Sequence, residues 1–80
     1  MPRFYFHVHD EKTVLDEHGT NLPDVAAARA EAVNGARDIM CDQVREGHLN
    51  LAYWLEVEDA EGRHLFTLPF RAAIELRFYQ

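Results

Sequence analysis

The stretch "AYWLEVEDAEGRHLFTLPF", residues 52–70, decides the fold. Tyr53, Leu55 and Val57 fall on one side of an extended chain, and Trp54, Glu56 and Glu58 fall on the other. This is the period-two pattern of a half-buried strand. "DAEG" at 59–62 reads as a tight turn, with Gly62 suited to a positive φ. The returning run offers Phe66 and Leu68 to the same core face. Pro69 has no amide to donate, so this strand ends there or runs along an edge.

The same alternation governs "RFYFHVHD" at 3–10. Phe4, Phe6 and Val8 point one way; Arg3, Tyr5, His7 and His9 point the other. After the polar break at 10–12, "TVLD" at 13–16 reads as a short partner strand and completes a hairpin. Gly19 and Pro23 punctuate the loop that follows. Asp24 is a helix N-cap and Gly47 a C-terminal stop. Between them Val25, Ala28, Ala32, Ala36, Ile39 and Met40 share one stripe at helical spacing, with Val33 and Val44 at its margin. Arg29 falls inside that stripe and is expected to snorkel, packing its stem while its head reaches water. Gly35 costs about 1 kcal/mol relative to alanine within a helix. The tail "FRAAIELRFYQ", 70–80, fits a short helix through Phe70, Ala73, Ile74 and Phe78, or a strand through Ile74, Leu76 and Phe78.

The order is therefore ββαββ within a single domain, 1–80. It predicts an α+β fold, with a four-stranded, mainly antiparallel sheet and one long helix on one face. A short C-terminal helix or strand completes it. The expected core is Phe4, Phe6, Val8, Leu15, Ala32, Ala36, Ile39, Met40, Leu55, Val57, Phe66 and Leu68. The opposite sheet face then shows Tyr5, His7, His9, Trp54 and Glu56. Either a second copy or the chain's own Phe78 and Tyr79 would cover it.

Bulk properties narrow the functional classes. Eighty residues bury only about 60% of the surface the unfolded chain exposes, so self-association would add needed stability. Fourteen Asp and Glu against eight Lys and Arg give a net charge of −6. The arginines are scattered and Lys12 is the only lysine, which argues against nucleic acid as a partner. No membrane span is expected. With one cysteine, Cys41, and no apolar leader, the reading is a cytoplasmic chain.

Nucleophilic catalysis finds little support. There is no serine, and Asp38 and Asp42 near Cys41 discourage a thiolate. No phosphate-binding or dinucleotide-binding glycine pattern is present. Asp16, Glu17 and Asp24 near a glycine lack the spacing of a calcium loop and read as turn and cap residues. His7 and His9 stand roughly 6.5 to 7 Å apart along one strand face, close enough to share a zinc or similar divalent metal. Asp10, His18, Glu56 or Glu58 would then supply a third ligand. The same histidines facing Glu56 or Glu58 could instead form cross-strand pairs.

Four segments carry a resemblance to a known family: "MPRFYFHVHD" at 1–10, "LDEHGTNLPD" at 15–24, "AAARAEAV" at 26–33 and "VEDAEGRHLFTLPF" at 57–70. The chain resembles a bacterial family of short proteins described as a domain of unknown function. The resemblance implies a small α+β domain and no activity. Glu11 stands where such proteins often place a glycine in the first turn. A likeness of pattern alone links the strand–loop–helix order to small antitoxin domains.

Three functional readings follow. The leading one is a non-enzymatic interaction or regulatory module, expected as a homodimer, acting through Tyr5, His7, His9, Trp54 and Glu56. The alternatives are a small metal-binding protein using His7 and His9, and an antitoxin-like acidic inhibitor.

Overall fold

A computed structural model describes residues 1–79; Gln80, the end of the tail, lies outside them. Strand β1 spans Arg3–His9, β2 Thr13–Val14, β3 Thr20–Asn21, β4 Trp54–Asp59 and β5 His64–Pro69. Helix α1 spans Val25–Arg45, and a single 3-10 turn follows at Phe70–Ala73. The strands form one antiparallel sheet in the order β2-β1-β4-β5, with β3 also paired to β1. The fold is the α+β arrangement the alternation called for. No described helix is long and apolar enough to cross a membrane.

Helix α1 begins where its cap chemistry places it. The Asp24 carboxylate accepts from the Ala27 amide at 2.8 Å. Gly47, at φ +90°, ends the helix while its amide and that of His48 close back on Val44 and Gln43. Ala28, Ala32, Ala36 and Met40 are buried against Phe4, Leu55, Val57 and Leu68. Small side chains let the helix axis lie close to the sheet. A β-carbon added at Gly35 would meet only the Leu55 Cδ1, at 4.0 Å, so a methyl group would fit there.

Three expectations need correction. Leu15 was assigned to the core and is 63% exposed, because the edge strand breaks immediately after Val14. Val25 is exposed, since the first helical residue precedes the part of α1 that reaches the sheet. The tail forms the short helix as a single 3-10 turn, which buries Phe70 and Ala73 in the core, but it leaves Phe78 and Tyr79 exposed. Those two rings therefore do not cover the outer sheet face. Arg29 is exposed at its head, as expected, and its guanidinium lies 5.1 Å from the Phe66 ring centroid.

The β2–β3 edge is the least regular part of the sheet, and Asp16 explains why it holds. Val8 pairs with Val14, and Phe4 pairs with Thr20. Midway between them, the Phe6 amide donates to the Asp16 carboxylate at 3.1 Å, where a regular strand would offer a carbonyl. The other carboxylate oxygen accepts from His18 and Gly19. One side chain thus bridges an interruption in the edge strand. Burial alone would raise the Asp16 pKa. The amides of Gly19, Phe6 and His18, with a smaller pull from His7, win and hold it below the usual carboxylate range.

Candidate functional site

The face of the sheet opposite α1 carries a short ladder of histidine–glutamate pairs. His7 lies directly across from Glu56, and His9 directly across from Trp54. Each histidine nevertheless bonds the residue two along from its register partner. His7 Nε2 lies 2.8 Å from Glu58 Oε1, and His9 Nε2 lies 3.0 Å from Glu56 Oε1. The right-handed twist of the pair brings such diagonal neighbours within reach of long side chains.

The two histidines differ in their second nitrogen. His7 Nδ1 accepts the backbone amide of Asp16 at 3.0 Å. An amide can only donate, so Nδ1 carries the lone pair and Nε2 carries the proton given to Glu58. His7 is only 7% exposed, closed in by the loop around Asp16. The strand alternation placed His7 on the outer face correctly but gave no sign that a loop would fold over it. Gly19 makes that closure possible. Its φ is +71°, and a β-carbon there would come within 2.9 Å of both Arg3 Cγ and Tyr5 Cε2.

His9 meets a hydroxyl instead, Thr13 Oγ1 at 3.3 Å. A hydroxyl both donates and accepts, so this contact does not select a tautomer. The His9 ring stacks on the Trp54 indole, with centroids 5.0 Å apart and planes 7° from parallel. Trp54 itself is 42% exposed. On its other side Trp54 has Pro69 as its register partner in β5. There it borders a shallow cleft of about 400 Å³ lined by Leu51, Ala52, Thr67, Pro69 and Arg71. Arg71 is the one charged residue among them.

The expected site residues therefore separate into two groups. His7 and Glu58 belong to a closed structural corner with Asp16. His9, Trp54 and Glu56 form the open part, and Tyr5 is half-buried beside Gly19. Each histidine has its own carboxylate, and among the described residues no three of His, Cys, Asp or Glu stand together as metal ligands. Of the other ligands considered, the Asp10 carboxylate accepts from the Lys12 amide, and the His18 carbonyl accepts from Arg3. Sequence reading missed Arg71 and Leu51, which come from segments flanking the sheet. It expected His7 and His9 to pair across strands with Glu56 or Glu58 and left open which glutamate each one meets. Counting "HVH" against "EVE" in antiparallel register would have found the ladder.

No curated protein and no solved structure matches the chain. Residues 3–71, which include every strand, the helix and both histidine–glutamate pairs, match the family described as domain of unknown function DUF6894, and the chain belongs to that family.

Proposed function

We propose that this chain is a non-enzymatic interaction module whose outer sheet face receives a segment of another protein. The observation that carries the reading is Trp54: a large indole left 42% exposed in the sheet while His9 stacks on it. Tryptophan is the residue type most favoured as an interface anchor. Its stack with His9 and the His9–Glu56 bond hold the ring in one orientation, so little side-chain entropy remains to be lost on binding. The cleft beside it is walled by Leu51 and Pro69 and carries Arg71. It suits an apolar or aromatic side chain with a carboxylate nearby. The lone exposed Cys41 fits a partner met in a reducing cytoplasm.

Affinity capture from the source cells tests this, with the wild-type chain, Trp54→Ala and Arg71→Glu as baits. A protein held by the wild type should be retained about tenfold less by either variant. The same protein, once purified, should shift the emission of Trp54, the only tryptophan. A partner captured equally by all three baits, with Trp54 emission unmoved, refutes the assignment of this face.

A further inference from the structure

The histidines of the outer face differ in what protonation would demand of them. His7 Nδ1 accepts the Asp16 amide at 3.0 Å while Nε2 donates to Glu58 at 2.8 Å. A protonated imidazole carries a hydrogen on both nitrogens and accepts nothing. An imidazolium at His7 would therefore set two donors against each other at Nδ1. An amide cannot reverse its polarity, so the protonated ring and the closed Leu15–Asp16 peptide exclude one another. At His9 the partner of Nδ1 is the Thr13 hydroxyl, 3.3 Å away, and at His64 the partner of Nε2 is the Thr67 hydroxyl, 2.9 Å away. A hydroxyl turns from donor to acceptor in place. Those two rings can take up a proton without moving the backbone.

We infer that His7 is an acid-sensitive latch on the loop 15–19: when the ring gains a proton, the Leu15–Asp16 peptide turns away and the loop lifts from it. The working range is that of histidine, around pH 6.5. Glu58 bonds the ring, Glu56 is its register partner on β4, and the Asp16 carboxylate sits on the next amide of β1, that of Phe6. Glu17 follows in the loop. The opposing groups are His9 on β1, His64 across from Glu58 on β5, His18 in the loop, and Arg3, whose guanidinium holds the His18 carbonyl. Glu58 and Asp16 attract an imidazolium, so the Asp16 amide is the group that must yield. Each pH unit below the histidine range favours the protonated ring a further tenfold, whereas one neutral hydrogen bond contributes a factor of about five. The movement stays local, because the segment is bounded by paired residues, Val14 with Val8 and Thr20 with Phe4. Asp16, with its depressed pKa, remains ionised here and keeps the loop tethered to the Phe6 amide. The opening uncovers His7 and Glu58 beside Trp54, whether or not that face receives a partner.

Residue-resolved NMR of the full chain, from about pH 8 to about pH 5, decides it. In the wild type the Asp16 amide should shift and lose about tenfold in exchange protection, in step with the titration of the His7 ring. The Phe70 amide, bonded to the Tyr53 carbonyl in the core, should keep its protection and so exclude global unfolding. His7→Asn retains an acceptor near the Nδ1 position and does not titrate, so its Asp16 amide should stay unchanged across the range. Glu58→Gln leaves the Asp16 contact in place and should move the loop transition about one pH unit lower. An Asp16 amide that stays protected while His7 titrates, or a ring still neutral at the acid end, overturns the inference. So does the wild-type transition recurring in His7→Asn. Should that variant fail to fold, Glu58→Gln decides, and a transition left at the wild-type pH overturns the inference as well.

Discussion

His7 and His9 are two residues apart in one strand, each bonded to a glutamate two residues apart in the next, yet they do different work. At His7 every polar contact comes from the protein: Glu58 on one nitrogen, the Asp16 amide on the other, and a loop above. At His9 the ring keeps one face on an exposed indole, and its second nitrogen meets a surface hydroxyl. The difference comes from the edge strand rather than from the histidines. Where the edge strand breaks at Leu15, the loop folds over His7. Where it pairs, at Thr13, it leaves His9 and Trp54 open. An unpaired stretch of backbone has been converted into a structural corner, and the neighbouring pair remains available for contact.

The strongest way to break this contrast is to remove His7. His7→Ala leaves the Asp16 amide and the Glu58 carboxylate without their partner and opens a buried space. It should cost about 3 kcal/mol. At about 4–8 °C per kcal/mol for a domain of this size, the melting temperature should fall by more than 10 °C. In the wild type, nitrogen-resolved NMR should find His7 as the Nε2–H tautomer. A loss below about 1 kcal/mol would mean the corner is not what holds the loop. Gly19→Ala attacks the same corner from above. It combines an unfavourable positive φ with contacts at 2.9 Å to Arg3 and Tyr5, and should cost about 2 kcal/mol. Equilibrium denaturation measures both.

The third test uses pH. Asp16 has a depressed pKa, so between that value and the unfolded one the unfolded chain binds more protons than the folded chain. The stabilisation is full above about pH 4 and is lost as pH falls through the folded value. Asp59, held down chiefly by the Arg63 amide at the β4–β5 turn, acts in the same window and with the same sign. Asp16→Asn should lose about 1–2 kcal/mol at neutral pH and should show a shallower decline on acidification than the wild type. If Asp59→Asn flattens the acid limb and Asp16→Asn does not, the β4–β5 turn governs acid stability.

Much of the architecture was legible because β1, β4 and β5 each have one wet and one dry side. Phe4, Leu55, Val57 and Leu68 could be placed by counting alternate residues, and Asp24 and Gly47 bounded α1 by their cap chemistry. Leu15 was misplaced because its hydrophobicity was read as burial, whereas backbone pairing decides which residues of an edge strand face inward. Asp16 looked like a turn residue. Its use as a substitute strand carbonyl depends on the Phe6 amide, ten residues away. Phe70 was legible as apolar, but its burial depends on where the 3-10 turn docks. Of the candidate face, the row of side chains was readable and its division was not, because the division is made by a loop.

His9→Ala should give the smallest effect on stability and the most informative one. The ring is part-buried rather than enclosed, Glu56 can turn toward water, and Thr13 can bond to solvent, so the cost should be about 1 kcal/mol or less. The indole, however, loses the ring that stacks on it. Trp54 emission should change and its anisotropy should fall, because a side chain without that stack has more room to turn. His9→Phe keeps an aromatic ring for the stack while removing both polar contacts, and should restore the anisotropy but not the Glu56 bond. If His9→Ala instead matches His7→Ala in its cost, both pairs are structural and the open half of the ladder is not a preformed contact surface. If stability holds while partner capture drops, orientation of Trp54 by His9 is what the second pair contributes.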